Sequence, residues 1–262
     1  MATIIVFLVL GFLFFLLLVA SGAEKEYFES FSSSNENKTN KTNKTNKTNK
    51  TNNNYPHYGH LNTFYTELAK EKMDYFVEPL PLQGIESIVT TQTAQIRDEC
   101  RQLFEWTTQP AAEMVRIRQG FKEWDTDPLK PFLALIKSKK MKIDRTKLDK
   151  LVKDCAVLAL KLKMIYNKAR PFQLCYTLGF PLQYLQSAHG DTPSFPSSFA
   201  LQAYSLAYVL GRKYEKHQKA IEQLGNDIAW SRVYSGNNFE SDISGAKQIV
   251  LNLRIYLESI DL

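Results

Sequence analysis

The chain has 262 residues, with 33 Lys+Arg against 27 Asp+Glu for a formal charge of +6, and 44% of its residues are hydrophobic. That length allows one ordinary domain with appendages and excludes a large multidomain assembly, while the apolar fraction excludes wholesale disorder. Cys100, Cys155 and Cys175 are odd in number, widely spaced and without a Cys-x-x-Cys pair, so the sequence indicates neither a disulfide scaffold nor a zinc site.

From Ile4 to Ala20 the chain is unbroken apolar or small, and no charged side chain precedes Glu24. A bilayer takes roughly 17–25 apolar residues, so residues 1–23 read as a single-pass signal anchor or as a cleaved signal peptide. Ser21 and Ala23 suit cleavage, whereas the lack of Lys or Arg before the apolar run suits an anchor, which is the preferred reading. The lysines that follow would draw that side of the segment toward the cytoplasm. The expected location is a membrane, or the secreted fraction if the segment is removed.

Residues 24–54 contain Asn-Lys-Thr five times, starting at Asn37, Asn40, Asn43, Asn46 and Asn49. Nothing in this tract can be buried, so it is predicted to be a disordered stalk. Each repeat is an Asn-x-Thr acceptor if the tract reaches a glycosylating lumen; otherwise it is a short repeat expanded in a tolerant linker. Six lysines and four glutamates give the stalk +2 and leave +4 on residues 55–262.

Residues 55–262 are predicted to be all-α, a helical bundle. Between Asp144 and Tyr166 the apolar positions Leu148, Leu151, Val152, Cys155, Leu158, Leu162 and Ile165 follow three-and-four spacing behind an Asp144 N-cap. Ile243, Ala246, Val250, Leu253, Leu257 and Ile260 mark a C-terminal helix. Further helices are expected at about 63–77, 85–107, 128–140 and 197–224, the last stopped by Gly225. After residue 20 no apolar run is long enough to span a membrane; the best, Phe199 to Leu210, is short and holds Gln202.

Three clusters carry chemistry. Lys163 and Arg170 are seven apart, nearly two helical turns, and would point to one side near a helix end enforced by Pro171. Pro196, Ser197 and Ser198 open a helix whose first backbone N–H groups face outward, a ready site for a phosphate-like anion. Ser231-Arg232 is followed by Asn238 and Asp242, four apart and able to share a helix face. Taken singly these read as a solvated basic face, a helix cap and a glycine turn before an Asp-capped helix.

In this order and spacing the clusters resemble the signature of the type 2 phosphatidic acid phosphatase and vanadium haloperoxidase superfamily: Lys, six residues, Arg-Pro; then Pro-Ser-Gly-His; then Ser-Arg, five residues, His, three residues, Asp. Lys163, Arg170, Pro171, Pro196, Ser197, Ser231, Arg232 and Asp242 match, and the resemblance spans about residues 160–250. It implies a helical bundle of the soluble branch, with Lys163, Arg170, Ser197, Ser198 and Arg232 around a phosphate or a phosphorylated ligand.

The departures are as informative. Phe199 stands where the family has the His that protonates the leaving group, Ser198 where it has Gly, and Asn238 where it has the nucleophilic or vanadium-binding His. An amide has no ring nitrogen to attack phosphorus or bind a metal, so no catalytic residue set is intact, no metal or cofactor is expected, and Asp242 is left without a His to orient. Of the four histidines, His57 and His60 border the stalk, His217 lies among Glu215, Lys216 and Lys219, and His189 alone precedes the second block closely enough to reach the pocket.

The preferred reading is a membrane-tethered or secreted phosphatase-like domain that keeps the pocket and has lost catalysis. The alternatives are an active acid phosphatase using a modified mechanism and a structural surface protein with a relic pocket. The cations of the body are interleaved with acids, as from Asp144 to Asp154, and no nucleic-acid-binding module appears, so nucleic acid is not an expected partner.

Overall fold

The structure is a computed structural model that describes residues 56–89 and 93–262. The proposed anchor and the Asn-Lys-Thr stalk lie outside the described residues. Among the described residues the regular elements are all helical: α1 (Thr63–Leu68), α2 (Thr93–Thr108), α3 (Ala112–Trp124), α4 (Leu129–Ser138), α5 (Arg145–Tyr166), α6 (Pro171–Leu174), α7 (Ser198–Lys213), α8 (Gln218–Tyr234), α9 (Glu240–Asn252) and α10 (Arg254–Glu258). The all-α expectation therefore holds. None of these helices is long and apolar enough to cross a membrane.

Helix α7 is the centre of the bundle and packs against α5, α8 and α9. Its sequence is apolar nearly all round, and Leu201, Ala203, Leu206 and Leu210 are inaccessible to solvent. On α5 the Asp144 carboxylate accepts from Thr146 N–H at 3.0 Å, as the N-cap reading requires. Leu148, Leu151 and Leu158 of its stripe are fully buried, and each such side chain contributes roughly 1.5–3 kcal/mol. Ile165, at the end of the stripe, is 65% exposed, although Lys163 and Tyr166 in the same turn are buried, so the outward face there carries an apolar side chain.

Several expectations need correction. Helix α3 was not expected; its buried face is only Ile117 and Phe121, one turn apart, too narrow a stripe to stand out beside Gly120. The region expected as one helix at 197–224 is two, α7 and α8, joined by a 3-10 turn over Glu215–His217. Gly225 is not a stop signal but lies inside α8, where a Cβ would come within 2.8 Å of the Ala207 Cβ; its absence lets α8 fold back closely on α7. The expected helix at 85–107 begins only at Thr93, and the one at 63–77 ends at Leu68. The C-terminal stripe divides into α9 and α10 at Leu253.

Helix α5 ends at Asn167, not through Pro171. Asn167 takes the left-handed conformation, φ 45° and ψ 36°, and its N–H closes on Lys163 O at 2.8 Å. Pro171 instead opens the short α6, with Arg170 as its N-cap. The intervening residues form an isolated bridge, His57 with Lys168, that ties the start of the described chain to the end of α5.

The cysteine reading is also overturned. Cys100 on α2 and Cys175 after α6 form a disulfide with a Cα–Cα distance of 5.1 Å, and only Cys155 is free, buried in α5. Their separation of 75 residues carries no local signal; the pair is brought together by the packing of α2 against the α6 turn. In the chain-entropy account, closing a loop of that size stabilises the fold by about 4 kcal/mol.

Candidate anion-binding site

The three cations of the sequence blocks converge from three places. Lys163 comes from the last turn of α5, Arg170 from the N-cap of α6, and Arg232 from the last turn of α8; each is at most 3% exposed. With Ser197, Ser198, Phe199 and Asn238 they line a cavity of about 330 Å³. Its polar lining is these groups other than Phe199, with Thr192 and His189, and its apolar lining includes Phe199, Phe64, Leu68, Pro128, Ala156 and Leu160.

Burying an ion is costly unless its donors are met, and here they are met mainly by uncharged oxygens. Lys163 Nζ donates to Pro193 O and lies 3.5 Å from Ser194 O. Arg170 donates from Nε to Thr192 O at 2.6 Å, from Nη1 to Asn237 O at 2.9 Å, and from Nη2 to His189 O at 3.0 Å and Thr192 Oγ1 at 3.2 Å. Among the described residues neither cation forms an ion pair with a carboxylate. Burial first, and then repulsion from Arg170, pushes the Lys163 ammonium well below the ordinary amine range. Burial and repulsion from Arg232 bring the Arg170 guanidinium down to about 10. Asp242 acts on both centres, and Tyr58 and Asp191 on Arg170, but only at a distance, and burial with mutual repulsion outweighs them, an arrangement that favours a negative guest.

Arg232 differs. Its Nη1 donates to the Asp125 carboxylate, its Nη2 to Ser187 Oγ at 3.0 Å, and its guanidinium lies between the Phe121 ring at 4.8 Å and the Phe199 ring at 4.6 Å. Among the described residues its buried Nε has no hydrogen-bond partner. Asp125 therefore neutralises the third cation, and Arg232 offers the cavity a directed N–H more than a free charge.

Ser197 caps α7: its Oγ accepts from Ala200 N–H at 3.4 Å, and its own N–H donates to Asp242 O at 3.2 Å. The N–H groups of Ser198 and Phe199, in the first turn, have no partner within the helix, and the positive end of the α7 dipole lies beside the cations. A Cβ at Gly245 would run into the Phe195 ring, so that glycine lets the segment leading into α7 seat against α9.

Asp242 has a clear role even without a histidine. It is fully buried; Oδ1 accepts from Lys168 Nζ at 3.0 Å and Ser194 Oγ at 3.4 Å, and Oδ2 accepts from Phe239 N–H at 2.8 Å and Asn238 Nδ2 at 3.2 Å. Lys168, which the sequence reading missed, also donates to Ser241 Oγ at 2.6 Å and lies over the Phe239 ring. Asn238 donates to Ser194 O at 2.9 Å as well, so both its N–H groups are engaged and only its amide oxygen is left for the cavity it lines.

The comparisons with known proteins are sparse. No family model matches the chain, and no curated protein matches it. Among solved structures, the chain is similar to a transmembrane PAP2 type phosphatidylglycerolphosphate phosphatase from Bacillus subtilis, at 17% identity over 75% of this chain and 91% of that one, with a TM-score of 0.46.

Chemically, the site can hold an anion but presents no side chain able to attack phosphorus from position 238 or to donate a proton from position 199. Of the four histidines only His189 lines the cavity, with its ring 5.1 Å from that of Phe199. Asp125, Lys168 and Thr192 are the other contributors that sequence reasoning missed. Each is an ordinary polar residue whose partner is remote in sequence, and nothing in its local pattern marks it.

Proposed function

We propose that this chain is a type 2 phosphatidic acid phosphatase-like domain that binds phosphate or a phosphorylated ligand and has little or no hydrolase activity. The observation that carries the reading is the pair of buried cations, Lys163 and Arg170, satisfied by carbonyl and hydroxyl oxygens with no carboxylate in direct contact among the described residues. The ordered sequence blocks support the family, and Phe199 with Asn238 supports the loss of turnover, since losing general acid catalysis alone removes about 10²–10⁴-fold. Phe199 walls the cavity by stacking on Arg232 without filling it, which favours a retained pocket over a relic.

One observation favours a second reading, an active phosphatase: His189, a residue type that commonly carries acid–base chemistry, lines the cavity. Hydrolysis of p-nitrophenyl phosphate separates the two. Wild type is expected to turn over no faster than an Arg170→Ala, Arg232→Ala variant; a wild-type rate well above that variant would establish an enzyme.

The Cys100–Cys175 disulfide supports an oxidising compartment for the body, because such bonds are rare where glutathione keeps thiols reduced. This bears on the orientation of residues 1–23, read as an anchor or a cleaved signal. The stalk lysines argue for the cytoplasmic side, but most lie beyond the roughly 15–20 residues over which the charge bias acts. In this reading the stalk shares the compartment of the body and its five Asn-Lys-Thr sites are glycosylated. Treating the protein from a eukaryotic secretory host with peptide N-glycosidase is expected to increase its gel mobility; unchanged mobility would place the stalk on the other side.

A further inference from the structure

We propose that His189 is a cationic ligand of the anion site, a loop-borne imidazolium that closes the cavity over the anion bound by Lys163 and Arg170. This rests on the phosphate-binding reading above and adds to it a residue outside the sequence blocks and a dependence on pH.

The loop from Ser187 to Ser194 is built around the clamp. Arg170 Nη2 donates to His189 O, and Arg170 Nε to Thr192 O. His189 N–H donates to Ser187 Oγ at 3.0 Å; that hydroxyl donates to Asp125 Oδ1 at 2.7 Å and accepts from Arg232 Nη2. Ala188 N–H reaches Asp125 Oδ2 at 3.0 Å, Asp191 accepts Tyr65 Oη at 2.7 and 2.8 Å, and Pro193 O accepts from Lys163. The backbone on both sides of His189 is therefore fixed, by Ser187 and Asp125, partners of Arg232, on one side and by Arg170 and Lys163 on the other. The imidazole itself is exposed, lines the cavity, and rests at 56° against the Phe199 ring. Its placement is set by the loop, while its ring nitrogens face no fixed protein partner among the described hydrogen bonds.

Imidazole is the side chain whose charge changes between about pH 5 and pH 8. The charged and titratable groups around it are Tyr58 and Tyr65 from the N-terminal segment, Asp125 after α3, Lys163 on α5, Arg170 before α6, Asp191 on its own loop and Arg232 on α8. Lys163 also loses its proton as pH rises, its ammonium being held well below the ordinary range, so pH dependence alone does not assign the effect to His189. Substitution at 189 does.

The test is a calorimetric titration with sulfate, whose charge stays constant across the range, between about pH 5.5 and about pH 8. Wild type is expected to bind sulfate about tenfold more tightly at the lower pH, the scale of one charge-assisted hydrogen bond. His189→Gln should lose most of that gain and bind at the weaker level throughout, while His189→Arg should keep tight binding at the upper pH. His189 is exposed, so neither variant threatens the fold. Equal pH dependence in wild type and His189→Gln overturns this proposal while leaving the phosphate-binding reading intact. Absence of sulfate binding in wild type at every pH, or binding unaffected by Arg170→Ala, overturns that reading and this proposal with it.

Discussion

Replacing Asp242 by Ala is expected to lower the stability of the domain by about 3–5 kcal/mol, the range for removing one partner of a buried ion pair. The carboxylate is inaccessible to solvent, and four donors from three segments end on it: Lys168 Nζ, Ser194 Oγ, Asn238 Nδ2 and Phe239 N–H. Without it, a fully buried ammonium keeps only the Ser241 hydroxyl and the more distant Glu99 at 3.7 Å, and α9 loses its cap. The urea midpoint measures the effect. Adding Lys168→Met should recover a large part of the loss, because an uncompensated charge is then no longer buried; an Asp242→Ala variant within about 1 kcal/mol of wild type would remove the network from the account.

The second large effect is a gain. Phe199→His combined with Asn238→His is expected to raise p-nitrophenyl phosphate turnover by at least about 10²-fold, the lower end of what positioned acid–base groups supply. The scaffold already offers what the new groups need. Asp242 Oδ2 lies 3.2 Å from Asn238 Nδ2, so an imidazole at 238 finds an acceptor for one ring N–H and turns its other nitrogen toward the cavity. Position 199 borders the same cavity, next to Arg232. The double substitution gives up the Asn238 bond to Ser194 O and the stacking of Phe199 on Arg232, so some stability is lost alongside the gain. Turnover no higher than that of wild type in a folded double variant would mean that more than two groups separate this site from a working one.

What the sequence disclosed follows from where its signals reside. Helical spacing is local, so α5 with its Asp144 cap and the buried stripe of α9 and α10 were legible from their own residues. The convergence of Lys163, Arg170 and Arg232 was legible only because the blocks resemble a known signature, since basic residues separated in sequence predict no contact by themselves. The resemblance was silent on the groups that set the charge of the site. Asp125 meets Arg232 across 107 residues and Lys168 meets Asp242 across 74, and neither acid nor lysine carries a motif. Cys100 and Cys175 likewise pair through packing alone. The misreading of Gly225 has the same origin. A glycine at a helix stop and a glycine at a tight helix crossing look alike in sequence, and only the nearness of Ala207 tells them apart.

The sharpest revision concerns the clamp itself. Of the three cations Arg232 alone is paired directly with a carboxylate, Asp125, and packs against Phe121 and Phe199, which leaves it less of its charge to offer. The remaining pair, Lys163 and Arg170, carries the claim that the cavity binds an anion. The direct measurement is thermal unfolding of the wild-type domain against inorganic phosphate, with Arg170→Ala alongside. A ligand that binds only the folded state adds stability, by about 2.7 kcal/mol at a hundredfold excess over its dissociation constant. The account predicts a rise in the unfolding temperature of wild type at millimolar phosphate that is lost in Arg170→Ala; equal curves with and without phosphate in wild type would contradict it.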